Sequence, residues 1–92
     1  MAQVSVHIPS ILATLIGVRE VAVNADSVKE ALAQLTSRHP PLEQALFDEA
    51  GVLRAHVLCF HNAENTRWHA EGLDRAVLAG DRITILQAVA GG

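Results

Sequence analysis

Ninety-two residues, half of them hydrophobic, are enough for one domain with one core, at a size where roughly 60 to 65 per cent of the unfolded surface is buried on folding. The net charge of −3 is modest, and the seven basic residues are dispersed from Arg19 to Arg82 without a cluster or interleaved aromatics, so the footprint of a nucleic-acid-binding protein is missing. No apolar run approaches the roughly 20 residues of a membrane-spanning helix.

The first residues carry neither a basic start nor a long apolar segment, so the chain reads as cytoplasmic with no membrane partner. Cys59 stands alone within a strand-like run, which rules out an internal disulfide and makes it a small core residue. Lys29 is the sole lysine, and the scattered acids give a mildly acidic surface.

In chain order, Val4, Val6 and Ile8 alternate with Gln3, Ser5 and His7, the period of a strand with one buried face, and Pro9 ends its pairing. After the connection "SILATLIG", the stretch "VREVAVNA" alternates again, with Val21 and Val23 on one face and Gly17 supplying the turn of a hairpin. The period then changes. Val28, Leu32 and Leu35 in "DSVKEALAQLTSRHPP" line one helix face, with Ala31 beside them. Ser27 and Glu30 make a capping box, Asp26 complements the helix dipole, and Pro40 and Pro41 stop the helix. "LEQALFDEAG" reads as one or two further helical turns ending at Gly51.

"RAHVLCFHN" is rich in strand formers and suits a central strand covered on one side by the helix. "AENTRW" reads as a turn and short return strand, "GLDRAVLAGD" as a loop or helical turn ending at Gly80 and Asp81, and "RITILQAV" as the last strand. The order predicts an α+β fold: a mixed sheet with one main helix packed across it, the last strand beside the first and the third long strand parallel to an earlier one. That arrangement is the ubiquitin-like β-grasp, expected over residues 1–86, with a flexible tail over 87–92.

The final "LAGDRITILQAVAGG", the upstream "EGL" and the opening "VSVHIPSIL" resemble the ThiS/MoaD family of small sulfur-carrier proteins. Within it the chain is similar to the type that donates sulfur for cysteine or methionine synthesis. Two departures stand out: Gln87 replaces a proline common in the family, and "HNAENTRW" is longer and more polar than the usual turn.

The resemblance implies a protein substrate rather than an enzyme. An E1-like adenylating enzyme would use ATP to activate the carboxylate of Gly92, a sulfur donor would convert it to a thiocarboxylate, and a sulfur-accepting biosynthetic enzyme would consume it. No bound cofactor is implied. The residues fit those demands. The sequence has no phosphate-cradling glycine loop with which to activate a carboxylate itself. Glycine leaves a carbonyl unobstructed inside another protein's channel, and six residues from Gln87 to Gly92 extend about 20 Å. Ala88, Val89, Ala90 and Gly91 are small enough to thread there. Ordering such a tail costs about 1 to 2 kcal/mol per residue, so affinity must come mainly from the folded body. Alternation assigns Leu58 and Phe60 to the sheet face away from the helix as partner-binding residues; the opposite register would put Val57 and Cys59 there.

Other constellations point nowhere. His56 and His61 are an odd number of residues apart and fall on opposite faces of a regular strand, and His69 lies beyond a turn, so no metal ligand is assigned. The same parity, with apolar surroundings, argues against Cys59 as a nucleophile. Trp68 reads as packing at the edge of the core. Four functions remain: a sulfur carrier, a ubiquitin-like modifier joined to lysine through Gly92, the small subunit of molybdopterin synthase, and an interaction domain whose tail is idle.

Overall fold

The computed structural model describes residues 1–88. Five strands, β1 (Ala2–His7), β2 (Glu20–Ala25), β3 (Val57–His61), β4 (Glu64–Asn65) and β5 (Arg82–Gln87), form one mixed sheet in the order β2-β1-β5-β3-β4. Three helices, α1 (Ser10–Ile16), α2 (Val28–Arg38) and α3 (Pro41–Leu46), and two 3-10 turns complete it.

The last strand does lie beside the first, as a parallel pair with His7 opposite Thr84. β1 pairs antiparallel with β2, and β5 antiparallel with β3, so β3 runs in the direction of β2 without bonding to it. One face of the sheet is apolar because period-two alternation keeps Val4, Val6, Val21, Val23, Val57, Cys59, Ile83 and Ile85 on it, all buried. α2 covers that face with Val28, Ala31, Leu32 and Leu35, while Leu42 and Leu46 of α3 and Leu12 and Ala13 of α1 close its margin. Burying each large aliphatic side chain contributes about 1.5 to 3 kcal/mol.

Three local expectations need correction. β1 and β2 are joined through helix α1 rather than by a simple hairpin turn, and Gly17, at φ 81°, serves as the left-handed cap of that helix. The capping box forms only by half: Ser27 Oγ accepts from the Glu30 amide at 3.1 Å, whereas Glu30 Oε1 is buried without a partner. Trp68 is 83% exposed rather than packed on the core. The 3-10 turn over Thr66–Trp68 turns Thr66 inward, where its hydroxyl donates to the Cys59 carbonyl at 2.9 Å, and so presents Trp68 to solvent.

Pro40 and Pro41 divide two helices, and Pro41 starts α3, where a missing amide costs nothing. The start of α2 is pinned by the loop before β5: the Val28 amide donates to Arg75 O and the Val77 amide to Asp26 O, at 3.0 and 3.1 Å.

Candidate functional site: the open sheet face and the root of the tail

β3 and β5 pair so that Leu58 faces Leu86 and Phe60 faces Thr84. Val57 and Cys59 are buried while Leu58 and Phe60 are half-buried, so the open face carries Leu58 and Phe60, joined there by the exposed Leu86. Side chains directly opposite on neighbouring strands are in reach of one another, so these residues form a continuous apolar strip. Beyond it the face turns polar. Arg82 Nη2 lies 3.1 Å from His7 Nδ1, and His7 Nε2 lies 3.2 Å from Ser5 Oγ. Glu20 Oε1 lies 3.7 Å from the same Nδ1, so His7 sits among a cation, a carboxylate and a hydroxyl.

Gln87, assigned from sequence to the tail, is the last residue of β5 and pairs with Val57. The Ala88 amide donates to His56 O at 2.7 Å, so pairing reaches one residue past the strand. Val89, Ala90, Gly91 and Gly92 lie outside the described residues.

The loop that receives Ala88 is held by a residue the sequence reading passed over. Arg67 donates from Nη1 to Ala55 O at 2.7 Å and from Nη2 to Arg54 O and Val57 O at 2.7 and 2.8 Å. A planar cation with five donors suits three converging carbonyls. Nothing local in the sequence marks it, because its partners lie ten to thirteen residues earlier.

At the other end of β5, the glycine and aspartate noted before the last strand set its entry. Gly80 adopts φ 87°, where side chains are strained, and its amide donates to Gln3 O at 2.9 Å. Asp81 Oδ2 accepts from the Leu78 amide at 2.9 Å and from His61 Nε2 at 2.8 Å. The Leu78 amide first, and the His61 side chain second, hold the Asp81 carboxyl below its ordinary 3.8. Arg75 Nε donates to His61 Nδ1 at 3.1 Å, and Arg75 Nη2 reaches Glu64 Oε1 at 2.9 Å. Buried His61 is thus bonded through both ring nitrogens, while His56 is exposed.

Cys59 is fully buried, and burial pushes its thiol up to about 12, partly offset by the Thr66 hydroxyl. A thiol so protonated is neither nucleophile nor ligand at neutral pH. Among the described residues no three His, Cys, Asp or Glu side chains gather to hold a metal ion, and no helix is long and apolar enough to cross a membrane. What this arrangement offers is an apolar strip on the open sheet face beside the last residues of β5.

A five-stranded mixed sheet in this order with a helix across one face defines the ubiquitin-like β-grasp class. Residues 6–92 match the ThiS family, and the chain belongs to it. It is 36% identical over 84 residues to small archaeal modifier protein 1 of Haloferax volcanii, covering 88% of this chain and 91% of that one. It is 34% identical over 92 residues to sulfur carrier protein CysO of Mycobacterium tuberculosis, covering 97% and 98%. Among solved structures, the BexX/CysO complex of Amycolatopsis orientalis contains a chain superposing with a TM-score of 0.84 at 37% identity, covering 97% and 99%. The chain thus belongs to a family of ubiquitin-like sulfur carriers and modifiers and is similar to the CysO type, as the resemblance implied.

Proposed function

We propose that this protein is a sulfur carrier whose reactive group is the carboxylate of Gly92. In the reaction, a carboxylate oxygen attacks the α-phosphorus of ATP on an E1-like enzyme, pyrophosphate leaves, and an acyl-adenylate forms. Sulfide released by the sulfur donor then attacks the acyl carbon, AMP leaves with the bonding electron pair, and the thioacid loses its proton. The resulting thiocarboxylate attacks an acceptor held by a biosynthetic enzyme, and water then cleaves the acyl carbon–sulfur bond, leaving sulfur on the acceptor and returning the carrier as the carboxylate. The folded body supplies binding: the strip of Leu58, Phe60 and Leu86 is the face by which the partners grip, beside the root of the segment they thread.

The observation that carries this reading is the run of β5 directly from the apolar strip into "AVAGG", in a chain similar to a sulfur carrier over nearly its whole length. The test is intact mass after incubation with a purified E1-type adenylating enzyme, ATP and a sulfide source. The expected result is a gain equal to the difference between sulfur and oxygen, lost when Gly91 and Gly92 are deleted. An unchanged mass despite ATP-dependent pyrophosphate release refutes the thiocarboxylate step.

A second reading is supported by the similarity to small archaeal modifier protein 1. Activation is then shared, and the acyl group passes to a lysine amine instead of a sulfur. Gly-Gly remnants on lysines of other proteins, recovered from native cells, would favour it.

A further inference from the structure

We propose that the outward side of α1, formed by Ile11, Leu15 and the following Val18, is a second docking patch for the enzyme that acts on Gly92. It meets an apolar wall of that enzyme around the mouth of the channel that takes the tail. The proposal rests on the carrier reading and adds a surface to it.

α1 turns Leu12 and Ala13 into the core, which leaves Ile11 and Leu15, four residues apart, on one outward face. Ile11 is 66% exposed, Leu15 51% and Val18, just past the Gly17 cap, 43%. One exposed aliphatic residue is ordinary, but three within eight residues form a patch. Within its own segment nothing charged interrupts it, since Arg19 is the first ionisable residue after His7. Thr14, between the two helical positions, spends its hydroxyl on the Ile11 carbonyl at 2.9 Å, which leaves the face less polar still.

The place of the patch in the fold names its occupant. β1 and β5 are parallel, with His7 opposite Thr84, so the chain leaves both strands at the same end of the sheet. α1 begins there, three residues after His7, and Ala88 bonds to His56 O there, just before β3. Gly92 is four residues beyond Ala88, and four residues span at most about 13 to 14 Å. An enzyme holding the Gly92 carbonyl at its reactive centre must bring its surface within that distance of Ala88. A wall so close meets the end of the sheet as well as its open face, and α1 presents its exposed aliphatic side chains at that end. Ordering the threaded residues has to be offset by area buried elsewhere, and this patch supplies it.

The experiment measures ATP–pyrophosphate exchange by a purified E1-type adenylating enzyme from the same organism, as a function of carrier concentration. The double variant Ile11→Asp, Leu15→Asp is expected to raise KM about tenfold or more with kcat unchanged, because docking is lost while the tail remains intact. Ile11→Val with Leu15→Met is expected to restore the KM. Leu78→Asp, at an equally exposed aliphatic by the opposite end of β5, is expected to change neither constant. Thermal melts confirm that each variant is folded. An unchanged KM in a folded double variant overturns the patch while the carrier reading stands. Exchange supported equally well by protein lacking Gly91 and Gly92 overturns the carrier reading, and the patch with it.

Discussion

His61 Nε2 lies 2.8 Å from Asp81 Oδ2, and this bond ties the core side of β3 to the turn that launches β5. The same oxygen takes the Leu78 amide, so one carboxylate joins two neighbours of the last strand. Asp81→Ala strands the buried His61 N–H and is expected to cost about 1 to 3 kcal/mol. Each kcal/mol lowers the melting midpoint of a domain this size by about 4 to 8 °C. Asp81→Asn keeps an acceptor and should lose less. Calorimetry on the three proteins checks the order.

The same carboxylate shapes the acid limb of stability. Its folded value is depressed below 3.8, so in the window between the two values the unfolded chain binds the extra proton and stability rises with pH. The contribution is therefore complete above the ordinary value and disappears as pH falls through the folded one. Urea midpoints from about pH 6 down to pH 3 are expected to show the gap between wild type and Asp81→Asn narrowing only at the acid end. A gap constant across that range contradicts this assignment.

Much of the fold was legible because its signals are local. Alternation in "VSVHI", "EVAVN" and "VLCF" marks strands with one buried face, and Ser27 with the spacing of Val28, Leu32 and Leu35 marks α2. α1 escaped notice because seven residues bury only Leu12 and Ala13, and Pro9 gives no side-chain cap. Trp68 was misread because an aromatic residue suggests burial, whereas the turn gives the inward position to Thr66. At the site, alternation placed Leu58 and Phe60 on the open face, but their apposition to Thr84 and Leu86 is a matter of strand register. The Arg67 clamp and the His61–Asp81 bond join residues far apart in sequence, and no spacing rule encodes such contacts.

Leu58 sits opposite Leu86 on the open face and is half-buried, so it contributes less to the core than its buried neighbours Val57 and Cys59. Leu58→Glu is expected to leave folding within about 1 kcal/mol of wild type, in the range of ordinary surface and partly buried substitutions. Binding to an adenylating enzyme, followed by calorimetric titration, should weaken by about tenfold or more, the usual loss when an apolar anchor is replaced by a charge. Unaltered affinity would place the gripping face elsewhere.

Arg67 holds residues 54–57 in the shape that receives Ala88. Lysine keeps the charge but offers a compact head that cannot span three carbonyls in one plane. Arg67→Lys is expected to cost about 1 to 2 kcal/mol. The loss should be local before it is global: amide exchange at Val57 and Ala88, which bond to Arg54 O and His56 O, should accelerate more than at the buried centre of β5. Equal acceleration throughout the sheet would mean that Arg67 acts on global stability alone.

Cys59 bears on how the chemistry proposed at Gly92 can be read out. The thiolate is the species that attacks a maleimide or disulfide reagent, and a buried thiol held at about 12 offers almost none at neutral pH. The native protein is therefore expected to resist maleimide and disulfide reagents until denatured, when one equivalent reacts. A thiocarboxylate is already anionic at that pH, so after incubation with adenylating enzyme, ATP and sulfide, label should appear on the native protein. Peptide mapping should place that label at Gly92 and not at Cys59, and Cys59→Ala should leave it undiminished. Rapid labelling of Cys59 before any activation would show that the strand opens far more readily than its burial implies.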